Sequence, residues 1–399
     1  MSHPFSLSPL NPYSQCLTLF LCLHQIPIVN VSPFFLCLHQ IPIVNVSPFF
    51  FLCPALPSTV SRHLELSHNK MTHIEADTFK PLHYSLEVLK LDNNQLTKDV
   101  FLPLQNLRNL RHLVVSGNNI TSVPAGSFHK HGFLAHLELS DNRVSELGRG
   151  ALKGTEKYLQ VLKLGGNPLT TIHNGTFQDH TRLQELNLDS TSVGGALYED
   201  TFRGASATLR KLSISGSNLT TLDLLALQGL GALEDLDLSK NFITDIPEGV
   251  FQRLRHLVKL DLSQNALQEL PDAAFRGLEA SLESIDFHDN YLQTITRCVF
   301  DGFQRLGELR LRDNPLTCDC RFAWLHNWVQ LTLPEYHRSL LEWRCTQPQE
   351  LSRRLFGTLF MADLHCPNNS VQGLTPACNF TAPSQPYVFQ VGILHSYIL

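Results

Sequence analysis

The phrase LDLSKNFI at residues 236–243 returns 24 residues later as LDLSQNAL at 260–267. Eleven copies of this phrase lie between residues 61 and 314. Each has two apolar positions with one residue between them, and a polar sixth position. A period kept over most of the chain is typical of a repeat architecture in which each unit packs on its neighbours. The sixth positions, 24 to 26 residues apart, are Asn69, Asn94, Asn118, Asn142, Asn167, Thr191, Ser217, Asn241, Asn265, Asn290 and Asn314.

The residue types in the phrase predict a parallel sheet. In an extended strand the two apolar side chains of L-x-L point to one side and the residue between them points to the other. The asparagine at each turn can bond backbone groups that the bending chain leaves unpaired, so stacked copies form a ladder. Thr191 and Ser217 can serve this ladder only in part, which predicts a local irregularity there and no break.

An apolar residue and then a phenylalanine follow the phrase in most copies. These phenylalanines predict a stacked spine that closes the core on the side opposite the sheet. The pairs are Ile74 and Phe79, Val123 and Phe128, Ile172 and Phe177, Ile246 and Phe251, Leu270 and Phe275, and Ile295 and Phe300.

Residues 61–314 resemble the leucine-rich repeat family in its 24-residue extracellular type. The resemblance implies an α/β solenoid, a horseshoe with a curved parallel β-sheet on its concave face. Eleven strands spaced by about 4.8 Å make a sheet on the order of 50 Å long. No single repeat could bury its apolar face alone, so the array is expected to be one cooperative unit.

Four cysteines, Cys318, Cys320, Cys345 and Cys366, follow the last repeat. They could hold zinc in a tetrahedral site or form two disulfides. C-x-C is a poorer zinc clamp than C-x2-C, and N-glycosylation sequons indicate an oxidising, secretory compartment, which favours disulfides. The sequons begin at Asn119, Asn174, Asn218, Asn368 and Asn379, and none of them falls on an expected strand.

The stretch that holds these cysteines resembles the cysteine-rich C-terminal cap of extracellular leucine-rich repeat proteins such as Slit, chaoptin and the acid-labile subunit. That resemblance implies the pairs Cys318–Cys345 and Cys320–Cys366. Phe322, Leu325 and Trp328, with Trp324 beside them, predict a short helix laid over the open end of the leucine core.

The expected organisation is an uncharged leader at 1–60, repeats at 61–314, a disulfide-bonded cap at 315–368 and an unstructured tail at 369–399. Within the leader, LCLHQIPIVNVSPFF occurs twice in succession, at 21–35 and 36–50, without the 24-residue period or the ladder position. It is a poor signal peptide and a poor membrane span. We expect residues 1–60 to be unpacked, as a recent duplication or translated sequence from outside the real gene, with the true signal and N-terminal cap missing.

Composition and motifs exclude several functions. The chain carries 31 basic and 36 acidic residues, a net charge of −5, and so lacks the basic excess typical of nucleic-acid binding. It contains no catalytic constellation, and we expect no enzyme activity, cofactor or metal site. His63, His68 and His73 fall at different repeat positions and are interpreted as solvated. Cys298 is interpreted as a tolerated small residue, with a free or partner-linked thiol as the alternative.

The positions that flank and separate the L-x-L leucines should face the concave surface, where the N-terminal half is mixed in charge and the later half acidic. Asp237, Asp261 and Asp286 should stand side by side, a mildly destabilising arrangement that suggests a dock for a basic protein. The plainer interpretation, which we favour, is that LDLS is the ordinary form of this repeat. The candidate partner-binding residues are Glu185, Asp189, Asp235, Asp237, Asp261, Asp286, Arg310 and Arg312.

These features predict an extracellular protein, secreted or at the cell surface, that recognises another protein through its concave sheet in adhesion or as a receptor. One alternative is a secreted carrier or regulatory subunit that holds a soluble partner. A second, an intracellular scaffold, is disfavoured by the cap and the sequons. Membrane association would require a missing anchor or another protein, and the sequence does not indicate an oligomeric state.

Overall fold

The computed structural model describes residues 62–326, apart from 196, 199, 223–225 and 228, together with residues 343–366. The expectations for residues 1–60, the tail at 369–399, Trp328, Cys378, Asn368 and Asn379 lie outside the described residues. The described part is the predicted solenoid, with one turn of the chain per repeat and a long parallel sheet along one face.

Thirteen short strands are present in the described residues. Eleven of them pair in parallel in chain order, and β5 pairs with β7 in a separate two-stranded sheet. The strands are β1 (His63–Glu65), β2 (Val88–Lys90), β3 (His112–Val114), β4 (His136–Glu138), β5 (Glu146–Leu147), β6 (Val161–Lys163), β7 (Thr171–Ile172), β8 (Glu185–Asn187), β9 (Lys211–Ser213), β10 (Asp235–Asp237), β11 (Lys259–Asp261), β12 (Ser284–Asp286) and β13 (Glu308–Arg310).

Short helical turns connect these strands on the outer side. Phe101–Leu104 is an α-helix, and residues 226–227 and 323–326, the latter in the cap, are also α-helical, whereas the other helical turns that the structure describes are 3-10 turns. The 3-10 turns are Lys80–Leu82, Lys98–Val100, Val193–Gly195, Arg297–Phe300, Cys320–Phe322, Gln349–Leu351, Phe356–Thr358 and Met361–Asp363.

The strand register is uniform because every repeat contributes the same central leucine or isoleucine. Leu236 pairs with Leu260, and Leu260 pairs with Ile285. All three are at most 2% exposed, whereas the residues on either side of Leu236 remain partly exposed. The central side chain of each of the eleven strands is therefore buried in the core, and the residues on either side of it face the concave groove.

The asparagine ladder is present as predicted. The Asn142 amide nitrogen donates to the carbonyl oxygens of Leu139 at 3.0 Å, Ser140 at 3.1 Å and Val115 of the preceding repeat at 3.0 Å. Its carbonyl oxygen accepts the N–H of Ile120 at 3.0 Å. One buried side chain thus serves four backbone groups at a turn that water does not reach.

The ladder continues through Thr191 and Ser217, which confirms an irregularity without a break. The Ser217 hydroxyl donates to the Leu188 carbonyl at 2.7 Å, and the Thr191 hydroxyl donates to the same carbonyl at 2.8 Å. Asn241 then accepts the N–H groups of both Ser217, at 2.9 Å, and Leu219, at 3.0 Å.

A left-handed residue precedes every ladder position, a feature that the sequence analysis missed. All eleven have φ between 52° and 68°. Glycine, asparagine and aspartate tolerate this conformation best, and seven of the eleven are of these types. The residues are His68, Asn93, Gly117, Asp141, Gly166, Ser190, Gly216, Lys240, Gln264, Asp289 and Asp313.

The predicted phenylalanine spine is buried but continuous over only part of its length. Phe251 stacks on Phe275 at 5.8 Å between ring centroids, and Phe275 stacks on Phe300 at 6.0 Å. Toward the N-terminus, leucines such as Leu152 occupy the equivalent position in several repeats and separate buried rings such as Phe128 and Phe177. The expectation of one stacked spine is therefore correct only for the last three phenylalanines.

Three polar residues interrupt the apolar wall three positions beyond the spine. His131, Thr155 and His180 are each at most 2% exposed, where other repeats place residues such as Leu107 or Leu254. Nε2 of His131 bonds the Leu104 carbonyl at 3.0 Å, and Nε2 of His180 bonds the Thr155 hydroxyl at 3.0 Å. The Nδ1 atoms of both histidines lack a hydrogen-bond partner.

The C-terminal cap contains the disulfides Cys318–Cys345 and Cys320–Cys366, which are the pairs that the family resemblance implies. Because these sulfurs bond one another, the alternative of an S4 zinc site is excluded. Phe322 packs on Trp343 and Phe356, whose rings stack at 4.1 Å. 

Trp324 joins the cap to the repeats. Its indole N–H donates to the Ile295 carbonyl at 3.1 Å, and its ring lies 6.4 Å from that of Phe300, at the end of the spine. Cys298, in the same tenth repeat as Ile295 and Phe300, is 4% exposed and disulfide-bonded. Its interpretation as merely a tolerated small residue was therefore wrong.

Replacing Asn142 by alanine should destabilise the array by roughly 2–4 kcal/mol, because four backbone groups would lose their buried partner. Arg143→Ala is the matched control, since this neighbouring side chain is exposed and should change stability by no more than about 0.5 kcal/mol. Urea denaturation of both variants measures the difference. Equal, small losses would contradict the structural role of the ladder.

Acid should destabilise the protein through its buried histidines. Burial lowers the pKa of His131 from 6.5 to about 4. Between these two pH values the imidazole is therefore protonated in the unfolded chain and neutral in the folded protein. The free energy of unfolding therefore loses nothing through His131 above pH 6.5 and falls by about 3 kcal/mol through this residue as the pH drops to 4.

The variant His131→Leu should flatten this pH dependence in urea titrations at pH 7 and pH 4. His256→Leu, at an exposed histidine on a repeat turn, should leave the dependence unchanged. An unaltered slope in His131→Leu would show that another group causes the acid sensitivity.

Candidate binding surface on the concave sheet

Three columns of side chains run across the concave sheet. The first column contains the first residue of each strand, the second column contains the third residue, and the third column contains the residue two positions after the strand. In repeat eight these are Asp235, Asp237 and Ser239. Uniform register places equivalent residues next to one another, at the spacing of neighbouring strands.

Asp237, Asp261 and Asp286 are adjacent in the second column, as their spacing predicts. Asp237 is opposite Asp261, and Asp261 is opposite Asp286. Arg310 is opposite Asp286 and ends the row on β13. Neighbouring carboxylates in such a row repel one another unless a cation or hydrogen bond compensates.

Each of these aspartates has a structural task that the sequence analysis missed. One carboxylate oxygen accepts the backbone N–H two residues ahead, in every case at 2.9 Å: from Ser239 to Asp237, from Ser263 to Asp261 and from His288 to Asp286. Such a bond satisfies an N–H where the strand ends. D-x-S in LDLS is the signal that could have revealed it, and it supports the plainer interpretation of this row.

The cost of the row is concentrated at Asp237. Burial raises the pKa of the Asp237 carboxyl, the hydrogen bonds from Ser239 oppose this, and the charges of Asp261 and Asp189 raise it further. Among the described residues, neither Asp237 nor Asp261 forms an ion pair with a basic side chain. This two-residue step therefore carries negative charge that no ion pair neutralises.

Asp286, in contrast, is compensated. Its carboxylate lies 3.2 Å from the Arg310 guanidinium and 2.9 Å from Nδ1 of His288. Arg310 also bonds Glu308 at 2.6 Å, so its charge is shared between two acids. Arg312 is exposed and paired with Asp313 at 3.0 Å. The two arginines thus close the row without offering free positive charge.

The first column does not have the acidic character expected of the later half. Lys211 lies between Glu185 and Asp235, and Lys259 follows Asp235 on the next strand. Opposite charges therefore alternate along this column. The expected acidic row was wrong here because it omitted the two lysines, which occupy the same register position as the acids. The acidic surface is confined to the second column and the positions directly next to it.

Asp189 belongs to the third column and bonds mainly within the sheet. Its carboxylate accepts hydrogen bonds from the Ser213 hydroxyl at 2.5 Å, the Ser215 N–H at 2.8 Å and the Asn187 amide at 2.5 Å. These contacts join the two repeats on either side of the Thr191–Ser217 irregularity. Asp189 therefore stabilises the sheet more than it offers a free carboxylate to a partner.

The N-terminal half contains a second cluster that the sequence analysis did not identify. His112 and His136 stack at 4.0 Å between ring centroids, and Nε2 of His136 lies 2.5 Å from Oε1 of Glu138. Lys163 approaches the same oxygen at 3.0 Å. Hydrogen bonds from His136 and Lys163 lower the pKa of Glu138 although burial alone would raise it, and burial together with His136 lowers the pKa of His112.

A family model described as leucine rich repeat matches residues 85–143, 108–157, 132–193, 207–267 and 255–316, together more than half of the chain. The chain belongs to the leucine-rich repeat family. The unmatched residues 194–206 lie between the ladder positions Thr191 and Ser217, which carry hydroxyls in place of the asparagine amide.

Named relatives agree with this assignment. The chain is 42% identical over 173 residues to human vasorin, covering 43% of this chain and 25% of that protein. It is 30% identical over 285 residues to trophoblast glycoprotein of Macaca fascicularis, covering 70% of this chain and 64% of that protein. The chain thus spans less than two thirds of either relative. Both are extracellular leucine-rich repeat proteins.

A solved structure shows the same fold. A chain of the octameric complex of latrophilin 3, Unc5D and the leucine-rich repeats of FLRT2 superposes with a TM-score of 0.56 at 24% identity. The match covers 71% of this chain and 91% of that one. In the described part of this leucine-rich repeat chain, no helix is long and apolar enough to cross a bilayer.

The sequons that the structure describes lie outside the eleven inner strands. Asn174 and Asn218 are exposed, and Asn119 is partly exposed beside the ladder position Asn118. Sugars attached there would leave the three columns of the leucine-rich repeat sheet uncovered.

Sequence reasoning also missed two exposed aromatic side chains in the column that follows the ladder position. Phe242 is 58% exposed and Tyr291 is 60% exposed, each immediately after a ladder asparagine. Equivalent positions hold residues such as Gln95 and Arg143, so a large aromatic residue in this polar column was the available signal.

Asp237→Asn should stabilise the protein at pH 7, by on the order of 0.5 kcal/mol, since it removes a charge that Asp261 and Asp189 repel. An asparagine oxygen can still accept the Ser239 N–H. Because the pKa of Asp237 is raised in the folded protein, protonation relieves the same repulsion, and the advantage should vanish as the pH falls below 3.8.

Asp286→Asn is the matched comparison in the same column. It should destabilise by roughly 1 kcal/mol at pH 7, because it weakens the bonds to Arg310 and His288. Thermal unfolding of both variants at pH 7 and below pH 3.8 measures the changes in stability. Shifts of the same sign would show that neighbouring charge does not decide the role of each aspartate.

Proposed function

We propose that this chain is an extracellular protein-recognition module that binds a protein ligand across its concave sheet, in cell-surface adhesion or as a receptor. The observation that supports this most is the continuous, uniformly registered surface of three side-chain columns over eleven strands. Shape and register are fixed by the ladder beneath, so a partner would meet a preorganised surface.

The proposal includes an organisation of the chain into repeats at 61–314 and a cap at 315–368. It also includes glycosylation at Asn119, Asn174, Asn218 and Asn368. Glycans at Asn119, Asn174 and Asn218 would be attached outside the strands and would leave the sheet free for protein contact.

Charge favours a basic patch on the ligand opposite the Asp237–Asp261 step. These carboxylates lack an ion-pair partner among the described residues, and each has one oxygen that is not used to cap its own strand. Burial raises the pKa of Asp237 and the charge of Asp261 raises it further, and an incoming lysine or arginine would relieve the repulsion between the two carboxylates. Binding would thereby gain from a cost that the free protein carries.

The test begins with the full chain, secreted from cultured cells, screened against extracellular proteins to obtain a ligand. The double variant Asp237→Lys/Asp261→Lys should then bind that ligand about tenfold more weakly or worse, with less dependence on salt. Glu269→Lys, an exposed charge reversal away from the strands, is the control and should bind normally.

Circular dichroism and thermal unfolding must show that both variants fold. Unchanged affinity and salt dependence in the folded double variant would remove the acidic step from the binding surface. A ligand whose binding is blocked only by changes on the outer face would contradict the concave site as a whole.

A further inference from the structure

Three metal-ligating side chains meet on the N-terminal half of the concave sheet. His112, His136 and Glu138 each offer one ligand atom, and these three atoms all lie within 4.8 Å of one another. The three side chains are partly buried on the floor of the groove. Among the described residues, no other group of three or more such side chains comes this close together.

The register of the sheet produces this meeting. His112 on β3 is directly opposite His136 on β4. Glu138 is two residues beyond His136, so it emerges on the same face of the same strand. The cluster therefore rests on backbone that is fixed on both sides by neighbouring strands, which is the support that a preorganised ligand set needs.

Two imidazoles and one carboxylate select a particular class of ion. Imidazole ligands suit zinc, copper and nickel, whereas calcium and magnesium prefer oxygen ligands alone. In a tetrahedral zinc site with bonds of about 2.0–2.1 Å the donor atoms lie roughly 3.3 Å apart. The present separations, all within 4.8 Å, therefore require shifts of the ligand atoms on the order of 1 Å.

Lys163 opposes a cation at this position. Its ammonium lies 3.0 Å from Oε1 of Glu138, the oxygen that also meets His136. The Lys163 side chain is 34% exposed, so it can turn toward solvent when a metal takes its place. Removing this lysine should accordingly strengthen metal binding, an effect that a purely structural hydrogen-bond cluster would not show.

We propose that His112, His136 and Glu138 bind a divalent transition-metal ion of the zinc class, with the remaining coordination position open to the groove. The site goes beyond the proposed protein recognition and does not depend on it. Metal binding is measured on the chain alone, so failure of the site would leave the recognition proposal standing, and failure to find a ligand would leave the site standing.

The test is calorimetric titration of the tag-free, chelator-treated full chain with zinc chloride. The wild-type protein should show a site that His112→Gln, His136→Gln or Glu138→Gln each weaken by at least about tenfold. His63→Gln, in the same column at the edge of the sheet, is the matched control and should retain it. Lys163→Met should bind zinc severalfold more tightly.

Cobalt(II) provides a spectroscopic check, since tetrahedral coordination gives visible absorption that the His112→Gln/His136→Gln variant should lose. Zinc uptake unchanged in that variant would place the binding elsewhere in the chain and overturn the proposal. Should the double variant fail to fold, Lys163→Met still decides, because unchanged or weaker binding in it would equally contradict the site.

Discussion

The fold depends on one constraint, which is the need of a tightly turning, buried backbone to find hydrogen-bond partners in every repeat. A single asparagine amide meets that need, with three donor contacts and one acceptor contact at Asn142. Because two of these contacts reach the preceding repeat, each asparagine also sets the position of its neighbour. Sheet register, burial of the leucines and the alignment of the concave columns all follow from this repeated bond pattern.

The concave surface shows how one residue type serves stability and function in different proportions. Every aspartate of the second column caps the end of its own strand, which explains why LDLS is so common a form of the repeat. What differs is the neighbour: Asp286 faces Arg310, whereas Asp237 faces Asp261. Capacity for an incoming basic partner is therefore a property of two adjacent strands and not of the motif.

Much of this was predictable from the sequence, because the repeat period converts sequence position directly into spatial neighbourhood. The period predicted the sheet, the ladder and the adjacency of Asp237, Asp261 and Asp286. The same arithmetic places His112 beside His136 and Lys211 beside Asp235, so those omissions were avoidable. The left-handed residue before each ladder position had a weaker signal, since Lys240 and Gln264 adopt it against their own preference.

Side-chain detail could not be predicted in the same way. Nothing in the spacing shows that Asp189 turns its carboxylate toward Ser213 and Ser215, or that Trp324 reaches the Ile295 carbonyl. The break in the phenylalanine spine follows from leucines that look equivalent in an apolar pattern but cannot stack. Such outcomes depend on rotamers and on the neighbouring repeat, which hydrophobic periodicity does not report.

Native-state hydrogen exchange tests most directly whether the ladder makes the array one cooperative unit. The informative amides are those of Ile120 and Ile243, which donate to Asn142 and Asn265 on opposite sides of the Thr191–Ser217 irregularity. If the ladder is continuous, both amides should exchange with the same free energy of opening, equal to that of global unfolding. Opening of one side at a clearly lower free energy than the other would show two independent blocks and contradict the account.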